Sequence, residues 1–203
     1  MGNICIIPAR GGSKRIPRKN IKPFLGKPII TYSIQAALDS GLFDEVMVST
    51  DDAEIAEIAE QYGASVPFMR SEKNSDDFAT TYDVIKEVIE NYQKLEREFD
   101  NLCCVYSCAP FVSVNTLKLG FSQLIDKQFD SVFPVIAFSF PIQRALKESN
   151  GKISMIEERY LNVRSQDLEQ RYQDAGQFYW CNTRKLIESK KLLTSNTGGI
   201  VIS

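Results

Sequence analysis

The chain of 203 residues contains no histidine. This absence excludes Ser-His-Asp and Cys-His nucleophilic chemistry, a histidine general base and histidine-ligated zinc. Carboxylate, lysine, arginine, backbone N–H and a hard metal such as Mg²⁺ are left. These are the means of phosphoryl and nucleotidyl transfer, where positioning and charge neutralisation supply most of the catalysis. Cysteine is scarce and badly spaced for metal: Cys5, Cys103, Cys104, Cys108 and Cys181 form no Cys-x-x-Cys pair. Most of them lie in apolar, strand-like runs, so they read as reduced packing residues rather than as a disulfide or zinc framework. Long apolar runs are missing as well. None approaches the roughly 18 residues of a spanning helix, and no apolar signal segment follows Met1. A cytoplasmic protein is expected, with neither membrane nor nucleic acid as a partner.

Acid is missing from one end of the chain. Met1 to Leu38 holds seven Lys or Arg (Arg10, Lys14, Arg15, Arg18, Lys19, Lys22 and Lys27) and no Asp or Glu. Taking those seven charges from the formal −2 leaves −9 on the remaining residues, so the asymmetry is local and suggests a polyphosphate site rather than a general nucleic-acid surface. The basic residues follow Ile4-Cys5-Ile6-Ile7, a short apolar run bounded by Pro8 and the Gly11-Gly12 pair. That pattern predicts a strand buried on both faces and then a loop over 9–20. The paired glycines predict a backbone free to turn and to offer N–H groups to an anion, in a loop too short to pack Arg10, Lys14, Arg18 and Lys19 against acids. Two common phosphate motifs fail here. Gly-x-x-x-x-Gly-Lys-Ser/Thr does not match in spacing or order, and Gly-x-Gly-x-x-Gly lacks its third glycine. A solvated basic loop with turn glycines is the plain alternative.

With 43% hydrophobic residues the chain can bury one sizeable core, and a single domain over 1–203 is expected. Pro28 opens a predicted helix through Asp39, stopped by Gly41. Glu45 to Ser49 reads as a buried strand, after which Asp51 and Glu54 have the spacing of a capping box; capping is therefore preferred to metal binding as the reason for Asp51-Asp52. Strand, basic loop, helix, strand and helix open a doubly wound, mainly parallel α/β sheet, whose ligands sit at the carboxyl ends of the strands. Val84, Ile85, Val88, Ile89 and Tyr92 mark an amphipathic helix, and Leu102 to Pro110 a second apolar strand. Ser113 caps a helix with Leu117, Phe121, Leu124 and Ile125 toward the core. From about 141 to 172 the periodicity fails, and the stretch reads as an arm. In Tyr172 to Trp180, Gly176 lets the backbone approach a ligand and the aromatic run continues as a strand.

The run from Pro8 to Phe24, Pro-Ala-Arg-Gly-Gly-Ser-Lys-Arg-Ile-Pro-Arg-Lys-Asn-Ile-Lys-Pro-Phe, followed by Gly26-Lys27-Pro28-Ile29, resembles the signature of the sugar-acid cytidylyltransferases. That family joins CTP to an eight- or nine-carbon acidic sugar. The resemblance implies a Rossmann-like fold and a loop wrapped round the triphosphate, with Arg10, Lys14 and Lys19 as catalytic cations and Gly11, Gly12, Ser13 and Asn20 beside them on the nucleotide. The stretch 66–81 is similar to the family's cytosine-binding segment and implies Arg70, Asp77, Thr80 and Thr81 around base and ribose. N-capping by Asp77 or Thr80 is the alternative there. Tyr106 stands where sialic-acid members carry a Gln, which points away from sialic acid. Gln173-Asp174-Ala175-Gly176-Gln177-Phe178-Tyr179, with Pro141-Ile142-Gln143-Arg144 and the run Arg164 to Glu169, resembles the pseudaminic acid branch. The implied sugar site is Tyr106, Gln143, Arg144, Arg164, Gln177 and Tyr179.

The same resemblance implies a homodimer, in which the arm reaches the partner's site and delivers Arg164; a surface excursion is the alternative. It also implies Mg²⁺ held by a C-terminal Asp-x-Asp, and no Asp-x-Asp occurs in this sequence. The chain thus reads as shortened relative to the family, with its metal ligands unknown, CTP binding kept and turnover poor. The expected reaction is transfer of CMP from CTP to a nine-carbon acidic sugar, pseudaminic acid first, with release of pyrophosphate. Sialic acid, legionaminic acid and Kdo are rival sugars. A glycosyltransferase of similar sheet would carry an internal Asp-x-Asp, and a non-catalytic nucleotide-binding module stays open.

Overall fold

In the computed structural model, which describes residues 2–202, Ile4, Cys5, Ile6 and Ile7 have no exposed surface. They belong to β1 (Asn3–Pro8), which is followed by the short ladder of β2 (Pro23–Phe24) and β3 (Lys27–Pro28), then α1 (Ile30–Ser40), β4 (Glu45–Ser49) and α2 (Ala53–Gln61). Next come α3 (Thr81–Lys94), β5 (Asn101–Val105), α4 (Val114–Asp126) and β6 (Ser131–Ala137). A hairpin of β7 (Leu146–Ser149) and β8 (Lys152–Met155) precedes β9 (Tyr172–Asp174), β10 (Phe178–Asn182), α5 (Thr183–Ser189) and β11 (Thr197–Ile202).

Contacts divide the chain into two compact units, Met1–Pro134 with Gly176–Ile200, and Val135–Ala175 with Val201–Ser203. The strands of the main sheet lie in the order β11-β6-β10-β5-β1-β4, with β10, β5, β1 and β4 wholly in the first unit. Because β1 pairs in parallel with β4 on one side and β5 on the other, its side chains are covered on both faces, which is why the sequence there is an unbroken apolar run. Between β5 and β6 the strand β10 runs antiparallel to both, giving a mixed, mainly parallel sheet of Rossmann-like type. Its side chains pack with those of α3: Val84, Ile85, Val88, Ile89 and Tyr92 are all buried. No helix among the described residues is long and apolar enough to cross a membrane.

In the second unit, Val135 to Ala137 of β6 pair antiparallel with β9, and β7 pairs with β8. Among its described residues, helix is limited to single 3-10 turns at Ile142–Arg144, Glu158–Tyr160 and Ser165–Asp167. The lost periodicity of the sequence corresponds to this absence of any longer amphipathic element.

Several element boundaries differ from those the sequence suggests. α1 starts at Ile30 instead of Pro28, because Pro28 is occupied in the ladder opposite Pro23. It ends where expected: Gly41 takes a left-handed φ of 64° and donates to the Leu38 carbonyl. The cap of α2 is Asp52, which accepts from the Ile55 N–H at 3.0 Å, and the expected box of Asp51 with Glu54 does not form. Asp51 accepts from Gly11 instead, while Glu54 pairs with Arg18. Real capping boxes close α3 (Thr80 with Asp83) and α4 (Ser113 with Thr116). On α4, Leu117, Gly120 and Leu124 form the buried stripe, and Ile125, one residue past it, is exposed rather than in the core.

Gly120 lets α4 lie close on β10. A Cβ there would stand 2.8 Å from Trp180 Cδ1. Trp180 is fully buried, donates from Nε1 to the Leu117 carbonyl at 3.0 Å, and stacks on Phe43 at 5.0 Å between ring centres.

Candidate active site

The carboxyl ends of β1 and β5 open into a cleft of about 350 Å³ within the first unit, the position expected for ligands of an open α/β sheet. Pro8 ends β1 at its edge, and Arg10, Lys19 and Asn20 of the following loop line it. The segment between β4 and α3 contributes Arg70, Asn74, Asp76, Asp77, Thr80 and Thr81. Tyr106, Ser107 and Cys108 follow β5. Thus two stretches read separately in the sequence, the basic loop and the segment 70–81, meet across one cleft.

The basic loop is fastened at both ends. The Gly11 N–H donates to Asp51 Oδ1 at 2.8 Å, and Arg18 forms ion pairs with Asp52 and Glu54. Asn20, buried, donates from Nδ2 to the Arg10 carbonyl at 2.8 Å, while its Oδ1 accepts from Ser107 Oγ at 2.8 Å. Neither Gly11 nor Gly12 adopts a positive φ. What Gly11 supplies is room, since a Cβ there would fall 2.6 Å from Asp52 Oδ2, whereas Gly12 faces open space. Between the fastened ends, Lys14, Arg15, Ile16 and Pro17 are exposed.

Acids do meet the loop cations, contrary to the expectation of an unpaired basic loop. They come from elsewhere in the fold. Arg10 Nη1 lies 2.7 Å from Asp77 Oδ1, and Lys14 pairs with the other carboxylate oxygen. Lys14 first and then Arg10 hold the Asp77 carboxyl below the usual carboxylate range. Arg10 also donates to the Asp76 carbonyl at 2.7 Å. Lys19 has no acid within ion-pair distance among the described residues.

Arg70 forms the buried wall of the cleft. Its Nε donates to Ser49 Oγ at 3.0 Å and its Nη2 to the Ser49 carbonyl, so the end of β4 orients the guanidinium. Burial pulls its pKa down, with Asp51 and Glu87 opposing, yet a guanidinium keeps its charge in any protein setting. No carboxylate among the described residues pairs with it directly. A buried, oriented cation facing a cleft is suited to an electronegative ligand atom. Thr80 caps α3, and the Thr81 hydroxyl lies 3.3 Å from Tyr106 OH.

Residues 4–191 match the family model for cytidylyltransferases. The chain belongs to the cytidylyltransferase family. It is 44% identical over 203 residues to the pseudaminic acid cytidylyltransferase of Campylobacter jejuni, covering 100% of this chain and 88% of that protein. The CMP-N,N'-diacetyllegionaminic acid synthase of Legionella pneumophila is 41% identical over 138 residues, 65% of this chain and 58% of that one. Among solved structures, that of CMP:2-keto-3-deoxy-manno-octonic acid synthetase complexed with CTP shares the fold, with a TM-score of 0.72 at 18% identity over 100% of this chain and 91% of that one.

In this cytidylyltransferase the residues expected at the sugar are divided between the two units. Tyr106, Gln177 and Tyr179 belong to the first: the Tyr106 N–H donates to the Gln177 carbonyl at 2.9 Å, and the Tyr106 and Tyr179 rings meet edge-on at 5.4 Å. Gln177 Oε1 is buried with no partner among the described residues. Gln143, Arg144 and Arg164 belong to the second unit. There Gln143 is buried and donates to the Glu169 carbonyl, and Arg164 pairs with Asp167 at 2.7 Å. Gly12, Ser13 and Lys14 stand outside the cleft wall. Asn74, Ser107 and Cys108 line the cleft without having been singled out from the sequence, and Asp76 lines it beside Asp77. For Ser107 and Cys108 a signal existed, because they directly follow a fully apolar strand, where ligands of such sheets bind.

Proposed function

We propose that the protein transfers CMP from CTP to pseudaminic acid, releasing pyrophosphate, as a cytoplasmic homodimer. The observation that carries this reading is the 44% identity to the C. jejuni pseudaminic acid enzyme along the whole chain, with the basic loop and segment 70–81 facing one cleft. The anomeric hydroxyl oxygen of the sugar attacks the α-phosphorus of CTP. A P–O bond to the sugar forms, the bond to the β-phosphate bridge breaks, and the hydroxyl proton passes to solvent. Arg10, Lys14 and Lys19, with the N–H groups of Gly11, Gly12 and Ser13, neutralise the triphosphate and the charge growing on pyrophosphate. Arg70, with Thr80 and Thr81, faces the cytosine and ribose. Tyr106, Gln177 and Tyr179 serve the sugar, joined by Gln143, Arg144 and Arg164 from segment 141–172. Exposed Leu146, Ile153, Ile156 and Leu161 support that segment's role as the dimerising arm.

The family resemblance also implies Mg²⁺, and the described carboxylates offer it no preformed cage. Among the described residues no three acidic or cysteine side chains cluster as a cage. Asp52 is paired with Arg18, Asp51 accepts from Gly11, and Asp76 accepts from Phe78 and Ala79.

The test offers CTP with pseudaminic, legionaminic, N-acetylneuraminic and Kdo acids in turn and reads pyrophosphate. Release with pseudaminic acid at least about ten-fold above each rival, the scale a few misplaced contacts produce, is expected. Equal release with legionaminic acid would replace the proposed sugar, and release with none would remove the activity.

A further inference from the structure

We infer that the Asp77 carboxylate is an internal competitor for the phosphate-binding cations, occupying in the free protein the place a polyphosphate takes when it binds. The inference rests on the reading of Arg10 and Lys14 as phosphate ligands, and it adds what holds them beforehand. One carboxylate bridges both side chains, one oxygen to each. Among the described residues no other acid lies within ion-pair distance of either. Two cations sharing a single negative charge are poorly matched, and an anion with more charge and more oxygens is the better partner.

Asp77 is delivered to this place by a preformed turn. Asp76 Oδ1 accepts from the N–H groups of Phe78 and Ala79, at 2.9 and 2.8 Å, while the Asp76 carbonyl accepts from Arg10. The loop's two ends are fastened independently, through Gly11 to Asp51 and through Arg18 to Asp52 and Glu54. Lys14 is mostly exposed, and its pairing with Asp77 is the one ion pair made from the loop's tip, 14–17, among the described residues. Breaking that contact therefore frees the tip without unfastening the loop. Every polyphosphate that binds must displace Asp77 from both cations, and Asp77 regains them as pyrophosphate departs. Its effect is to weaken nucleotide and product binding together, and so to hasten release.

Pyrophosphate is the discriminating probe because it has neither base nor ribose. Calorimetric titration of the full chain with pyrophosphate, at about 0.15 M salt so that distant charges are screened, compares wild type, Asp77→Asn and Lys14→Ala. Asp77→Asn is expected to bind pyrophosphate about three- to ten-fold more tightly, the scale of one or two exposed ion pairs. Lys14→Ala is expected to bind it more weakly. Asp77→Ser repeats the measurement with a side chain that cannot mimic the amide, and a thermal melt of each variant checks folding. Unchanged affinity in both Asp77 variants would assign the residue to base or ribose alone, and weaker binding would make it an organiser of the cations; either overturns the competitor. If wild type does not bind pyrophosphate, or Lys14→Ala leaves binding unaltered, the phosphate reading of the loop itself is lost.

Discussion

Asp52 caps α2, pairs with Arg18, and sits so near Gly11 that no side chain fits there. Its carboxyl lies below the usual value of 3.8, chiefly through the Arg18 hydrogen bond, with burial opposing. The unfolded chain therefore takes up a proton more readily than the folded one. The pair's stabilisation is present above pH 3.8 and is lost as pH falls through the lowered folded value. Asp52→Asn keeps an oxygen for the cap and removes only the charge. Since the Arg18 side chain is 40% exposed, the loss at neutral pH should stay near 1 kcal/mol or below, at about the exposed-pair scale. Denaturant unfolding should show that gap between wild type and variant at neutral pH, closing in strong acid; a gap independent of pH would mean that the charge contributes nothing. At this scale the cations were legible in the sequence, because an acid-free stretch of 38 residues is a local signal. Their partners were not: Arg18 and Asp52 are 34 residues apart, Arg10 and Asp77 farther, and no pattern in either stretch encodes that they fold together.

Helices were legible from their apolar spacing, and their ends less so. Asp51 and Asp52 are both good caps, and the choice between them was made by Gly11, whose N–H takes Asp51 away. Ile125 shows the limit of periodicity: a stripe of small and large residues centred on Gly120 needs no fourth large residue beside it. Gly120 also yields a prediction. Alanine is the better helix former by about 1 kcal/mol, so Gly120→Ala on an open helix would stabilise. Here the added methyl meets Trp180 at 2.8 Å, Phe178 at 3.1 Å and Ile200 at 3.2 Å. Trp180 is stacked and hydrogen-bonded, so it cannot give way cheaply, and overpacking of roughly 1–3 kcal/mol should exceed the propensity gain. Urea unfolding should place the variant below wild type. A variant equal or more stable would show that α4 moves outward freely.

For the molecule as a whole, the mainly parallel sheet could be read from three apolar runs, β1, β4 and β5, each followed by a helix or a polar loop. The direction of β10 could not, since a run of four buried residues carries no arrow. Nor could the β7–β8 hairpin, whose strands are almost wholly exposed and show no alternation. One property of the sheet has a practical consequence. Its central strands bring Cys5 opposite Cys103 in neighbouring strands, and Cys104 and Cys181 are equally buried. Burial pushes these thiols up, Cys104 to about 12, so none offers a reactive thiolate near neutral pH. Burial raises the Cys108 thiol as well, so this cysteine, half-buried in the cleft, is the exception in access alone. A brief pulse of an alkylating reagent, read by mass, should mark Cys108 in the native protein and leave the other four until the sheet opens. CTP should slow the first mark and leave the rest to follow unfolding; simultaneous modification of all five would mean that the strands part locally. Thus the unaltered chain keeps its own stopwatch, one sulfur timing the occupancy of the cleft and four timing the life of the folded sheet.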